Sequence, residues 1–319
     1  MDTPTETPPQ LAADTEPNAP AVEETATPNP DGALASTDTA AVPAERADAP
    51  AWGVVAALGV WLASVGLLVA GSVLALLVYV VVRPASMSAE GLQRAITADP
   101  LLILLSVVAT LPMHLLTFGI AWAVVTGFGR RPFREAVGWS WGARFGLWTC
   151  LGLAVGLWLF GILLATLFGG QETDIDRIIS SSNAARFSIA FLAVATAPIV
   201  EETIYRGVLY APLERAAGTK VAVVVVAVMF AAVHFAQYWN NIGVVAAVTV
   251  LSFTLTLVRA YSGRLLPCFV IHAAFNGIQA IIIIAQPYLK TLVPTPPTTP
   301  PPPGMLLDAL ARALLGIQI

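Results

Sequence analysis

Charge is what this chain has least of. Only 11% of its 319 residues are Asp, Glu, Lys or Arg, and 57% are hydrophobic. Soluble domains carry about 25% charged residues, so a soluble globular protein is excluded and an integral membrane protein expected. Cysteine is nearly absent. Cys150 and Cys268 both lie in apolar runs, which rules out a disulfide framework or a cysteine zinc spacing and leaves them as small packing residues. No repeat of fixed period is present, and no glycine-rich phosphate loop. No basic run interleaved with aromatics points to nucleic acid. A zinc signature of the His-Glu-x-x-His type is also missing.

The few charges that are present are unevenly placed. Residues 1–50 hold ten acids and one base, a net of −9, and residues 51–319 hold ten acids and fifteen bases, a net of +5. The acidic segment is rich in Pro, Thr, Ala and Glu with few large apolar residues, too few to offset the entropy of ordering, so it is expected to be disordered. Its acidic start and lack of a short apolar core do not read as a signal peptide.

Stretches free of Asp, Glu, Lys and Arg run over 51–82, 101–129, 145–171, 187–200, 221–258 and 265–289. The fifth is too long for one crossing and breaks at "QYWNNIG", giving helices over 219–238 and 241–259. The fourth is too short for a core about 30 Å thick, and crosses only by continuing through Glu201, Glu202 and Arg206 to Leu213. The fold class expected is therefore an all-α polytopic membrane protein. It is a helical bundle of seven spans, or eight if "MLLDALARALLGIQI" crosses rather than lying at the surface as an amphipathic helix. Its organisation is a tail over 1–50, the bundle over 51–289, and a Pro-rich segment with a terminal helix over 290–319.

Loops richer in Lys and Arg face the cytoplasm. Arg130, Arg131, Arg134 and Arg144 follow span two, Arg215 and Lys220 follow span four, and Arg259 and Arg264 follow span six. This places the N-terminus in the cytoplasm of a multi-pass protein, expected in the plasma membrane. Trp139, Trp141, Tyr238 and Trp239, near span ends, fit interfacial anchors.

Within the greasy helices stand three polar clusters: "EETIYR" at 201–206, "FAAVH" at 230–234 and "HAAFN" at 272–276. A charge at bilayer depth costs about 2.5–3.5 kcal/mol even on insertion scales, so these groups are paired or used. Residues four apart share a helical face, which sets Glu202 beside Arg206 and His272 beside Asn276. Glu201 points away from that pair. Counting about 1.5 Å per residue from the cytoplasmic ends, Glu201 lies about 18 Å deep, His234 about 20 Å, and His272 and Asn276 about 11 and 17 Å. The bland readings stand beside this. Adjacent glutamates commonly mark a solvated face, and a buried Glu–Arg pair can serve packing alone. A lone amide in a membrane helix is interhelical glue, and a lone intramembrane histidine is usually a packing residue, the reading given to His114.

Taken in order, Glu-Glu-x-x-x-Arg, Phe-x-x-x-His and His-x-x-x-Asn resemble the CPBP family, which contains the type II CAAX prenyl endopeptidases and bacteriocin-processing or self-immunity proteins. The resemblance covers roughly residues 145–286, the expected protease core. It implies an intramembrane endopeptidase in which Glu201 activates water that His234 helps to hold. His272 and Asn276 would donate to the oxyanion, and Glu202 with Arg206 would support the site. The partners implied are a membrane-associated peptide or protein substrate and the lipid bilayer, with no nucleic acid. The cofactor stays open between none and zinc, for which Glu201, His234 and His272 are the candidate ligands. Two other classes compete: a non-enzymatic binding or immunity protein using the same pocket, and a proton-coupled transporter.

Overall fold

In a computed structural model, the described residues are 51–84, 88–168 and 171–292. The disorder expected for 1–50 and the alternatives for 305–319 lie outside them. Among the described residues the chain is helical without a strand, and seven helices are long and apolar enough to cross a membrane. They are α1 (Val54–Val82), α3 (Pro100–Thr126), α5 (Leu147–Phe168), a composite helix over Asn183–Ala217, α10 (Thr219–Tyr238), α11 (Ile242–Ser262) and α12 (Leu266–Leu292). The Val-rich sequence is helical here for a reason beyond propensity. Hydrocarbon offers backbone N–H and C=O groups no partner except those within the same segment.

The helices stop where side chains or glycine permit. The Asp99 carboxylate accepts from Leu101 N at the start of α3, and Gly127 ends that helix in the left-handed region. Asn241 caps α11, which finishes at Gly263, φ 65°. Two short helices lie between spans: α2 (Ala89–Ala98), capped by Ser88, and α6 (Asp174–Ser181), opened by a capping box of Thr173 and Asp176. A single turn, α4 (Phe133–Ala136), follows α3.

The packing explains which helices carry polar groups. α1 runs along α3, α10 along α11, and α5 against α11 and α12. Large apolar side chains such as Leu62, Val69, Leu115 and Leu163 face outward, as lipid-facing surfaces do. Cys150 and Cys268 are fully buried in one apolar cluster with Leu251, Leu255, Val258 and Ile271, as packing residues should be. Arg259, counted in the sequence as a loop charge, lies instead in the last turn of α11. It is buried and donates to the carbonyls of Val137 and Gly263, each at 3.0 Å. It ties the α4 region to the turn before α12 and still adds its charge to that end of the bundle.

The composite fourth span is not a continuous α-helix. It consists of α7 (Asn183–Phe191), a π-turn over Leu192–Thr196, α8 (Ala197–Glu202), a second π-turn over Thr203–Leu209, and α9 (Tyr210–Ala217). Proline accounts for both interruptions. Pro198 has no N–H and crowds the carbonyl one turn earlier. The preceding turn widens, so that the Ala197 N–H bonds Leu192 rather than Ala193. Pro212 likewise cannot donate to Val208. Each proline thus leaves a backbone carbonyl without its helical partner, and each such carbonyl is taken by a side chain from elsewhere in the chain.

Candidate active site

α8 is six residues long and ends in the two glutamates. Glu202 and Arg206 are both fully buried, with Arg206 Nη1 2.9 Å from Glu202 Oε1. The guanidinium is satisfied further by α11. Its Nε donates to Thr256 Oγ1 at 3.2 Å, and Nη2 to the Ser252 carbonyl and hydroxyl at 2.9 and 3.0 Å. Ser252 Oγ in turn donates to the Ala227 carbonyl of α10 at 3.1 Å. An ion pair with this many hydrogen bonds is how a buried charge is tolerated.

His272, on α12, joins the same carboxylate, with Nδ1 2.8 Å from Glu202 Oε1. A carboxylate accepts, so Nδ1 carries the proton and Nε2 is turned outward. His234, on α10, has Nδ1 2.8 Å from the Phe230 carbonyl, which fixes the same tautomer. Both Nε2 atoms face Glu201: His272 at 3.7 Å from Oε2 and His234 at 4.0 Å from Oε1. Those separations exceed a direct hydrogen bond and are the range a bridging water spans. Accessibility separates the two glutamates. The Glu201 side chain is 21% exposed and that of His234 19%, whereas Glu202 is sealed.

Phe230 is the ring around which the cluster is built. His234 stacks on it at 4.5 Å, the His272 ring meets it edge-on at 5.9 Å, and the Arg206 guanidinium lies 4.7 Å from its centroid. Tyr205 packs against it edge-on at 5.0 Å. Asn276 sits one turn beyond His272 and donates from Nδ2 to the Ala193 carbonyl at 2.8 Å, the carbonyl that the first π-turn released. The Val208 carbonyl released by Pro212 is taken by Trp52 Nε1 at 2.9 Å. Trp61 Nε1 meets Tyr205 Oη at 3.2 Å, so α1 and the segment leading into it are each fastened to the second π-turn.

Glu201, Glu202, Arg206, His234 and His272 are therefore joined in one cluster, and Asn276 stands one turn beyond His272 with its amide on the Ala193 carbonyl. Among the described residues, no group of three His, Cys, Asp or Glu side chains is placed to hold a metal ion. The sequence reading missed Phe230 as a contact hub, and it missed the π-turns, for which Pro198 and Pro212 were the available signal. It also missed a link from α3: His114 Nδ1 lies 2.9 Å from Thr196 Oγ1.

Seven apolar spans around an acid, imidazole and amide cluster define a multi-pass integral membrane protein with a polar site inside its bundle. Residues 183–278 match the family model described as "Type II CAAX prenyl endopeptidase Rce1-like", in line with the resemblance drawn from the three motifs. The matched stretch holds Glu201, Glu202, Arg206, His234, His272 and Asn276. No curated protein and no solved structure matches the chain.

Proposed function

We propose that the protein is an intramembrane endopeptidase that hydrolyses a membrane-associated peptide with water activated by Glu201. The observation that carries this reading is the convergence of the two imidazole Nε2 atoms on one partly accessible carboxylate, at 3.7 and 4.0 Å, while both Nδ1 atoms are held elsewhere. A water between these groups gives its proton to Glu201 and is held by the lone pair of His234. A base positioned in this way contributes about 10²–10⁴ in rate.

The attacked carbonyl becomes an oxyanion, for which two donors are at hand. Asn276 has a second N–H beyond the one given to Ala193. His272 donates from Nε2 only when its ring carries both protons. Oxyanion donors in a dry site contribute about 2.7–4 kcal/mol each. Glu202 and Arg206 hold His272 in place without touching substrate. The zinc version would draw on Glu201, His234 and His272, which the described structure does not place as a three-ligand set for a metal ion.

The protease core is assigned to about 145–286, and the tail over 1–50 and the segment over 290–319 lie outside it. The Arg-rich loops support a cytoplasmic N-terminus, and the membrane assigned is the plasma membrane. A reporter fused at Arg131 is then cytoplasmic and one at Asn241 external; both on one side would refute this topology.

The test is product analysis by mass spectrometry of membrane peptides incubated with the purified wild type and with Glu201→Gln. Cleavage by the wild type alone supports the mechanism. Equal cleavage by both refutes it, and peptide binding without cleavage by either returns the protein to the non-enzymatic class. Turnover that persists after chelation, in protein shown to be metal-free, excludes the zinc version.

A further inference from the structure

His114 lies on α3, outside the stretch that matches the family, and is buried at 8% exposure. As a packing residue it would need only apolar neighbours and one incidental hydrogen bond. Its partner is not incidental. Thr196 is the last residue of the first π-turn, and its hydroxyl is also 3.4 Å from the Leu192 carbonyl. That carbonyl receives the Ala197 N–H, the displaced bond that defines the π-turn. The same displacement frees the Ala193 carbonyl for Asn276. One turn further along stand Glu201 and Glu202.

π-turns are rare and concentrate at functional sites, and Pro198, which imposes this one, does not by itself fix its position against α3 and α12. This one is held from two sides: Asn276 of α12 takes its carbonyl, and His114 of α3 takes its hydroxyl. We propose that His114 is a positioning residue of the site, which fixes the Leu192–Thr196 turn through Thr196 and thereby sets both the Asn276 amide and the helix that presents Glu201. The inference rests on the hydrolytic reading, because it assigns His114 to the alignment of that machinery.

The experiment compares His114→Ala, His114→Asn, Thr196→Val and Thr196→Ser in the full chain, with Thr110→Ala as control. The Thr110 hydroxyl bonds only back to Ser106 in its own helix, at 3.1 Å. Misalignment remote from the chemistry costs up to about 10²-fold, so His114→Ala and Thr196→Val should each lose up to about that much in kcat with KM little changed. The double variant should be no worse than the poorer single. His114→Asn and Thr196→Ser should recover most of the rate, since an Asn amide reaches as far as Nδ1 and Ser restores the hydroxyl.

Hydrogen exchange gives a second readout independent of turnover. Amides over 197–202 should exchange faster in His114→Ala and Thr196→Val, with α5 and α11 unchanged. Unaltered exchange there overturns the proposal, as does full kcat in His114→Ala or a failure of Asn to rescue. Glu201→Gln separates the two levels. If it retains cleavage, the hydrolytic reading falls, while the exchange data still judge the positioning role.

Discussion

Glu201 and Glu202 are neighbours in sequence and opposites in environment. Glu202 is sealed, its Oε1 bound to a guanidinium and an imidazole and backed by Ser252 and Thr256, while its buried Oε2 has no hydrogen-bond partner among the described residues. Glu201 keeps a fifth of its side chain accessible and meets two imidazoles only at a distance. The difference shows how a membrane protein can tolerate a reactive carboxylate: the adjacent position absorbs the electrostatic demands of the helix, and the reactive one is left uncommitted. One face of α8 is architecture and the other is chemistry.

The largest expected effect separates these faces by activity. His234→Ala, His272→Ala and Asn276→Ala should each join Glu201→Gln in lowering cleavage, by about 10²–10⁴-fold where proton transfer is lost. Groups that act as a unit are not additive, so double variants assayed on one peptide should fall little below the weakest single. Additive losses would break the idea of one site.

Next comes stability. Glu202→Ala strands a buried cation, and breaking a buried pair from one side costs about 3–5 kcal/mol. Thermal unfolding in detergent should show a large drop for Glu202→Ala and almost none for Glu201→Gln. Equal losses would erase the contrast. The joint replacement Glu202→Leu with Arg206→Met should be milder in stability than Glu202→Ala alone, because no charge is left unpaired.

A smaller effect is expected at the second π-turn. Trp52→Phe keeps the ring but removes the N–H that serves the Val208 carbonyl. An orphaned buried acceptor costs about 1–3 kcal/mol, read as a lowered melting temperature. An unchanged melt would mean that the turn does not depend on α1.

The smallest effect lies far from both glutamates. The Tyr79 hydroxyl donates to Asp99 Oδ2 at 2.8 Å and holds its carboxyl below the usual carboxylate range, aided by the backbone N–H groups of Leu101 and Leu102. A depressed folded-state value adds stability that is complete above the unfolded value of about 3.9 and is lost as pH falls through the folded one. Tyr79→Phe should therefore lower the melting temperature slightly at neutral pH, change it little well below about pH 4, and so flatten the acid limb between them. A steeper acid limb would contradict the assignment.

Much of this was legible in the sequence because the bilayer is a strict solvent. An apolar run that must satisfy its own backbone has only one conformation open to it, so the spans over 219–238 and 265–289 could be read within a few residues. The Glu202–Arg206 pair followed from helical spacing alone. The short amphipathic helices α2 and α6 were not legible, since neither is a long apolar run. His114 was assigned to packing because its partner, Thr196, is distant in sequence and belongs to no motif. Nor did spacing reveal that Asn276 commits one N–H to Ala193, because that carbonyl is free only in a π-turn.

The widened turns carry one more consequence, concerning length. A π-turn houses an extra residue over nearly the same rise, so each one rotates the helix beyond it by about 100° relative to an unbroken helix. α8 is therefore phased independently of α7 and α9. Removing a residue from Thr203–Leu209 lets that turn relax to ordinary helix, with the loss falling on the alignment of Arg206 with Glu202. α10 has no such slack, and a deletion between Thr219 and His234 would carry the imidazole to another face of the helix. In this molecule the slack in helical phase is concentrated on either side of the acid it serves.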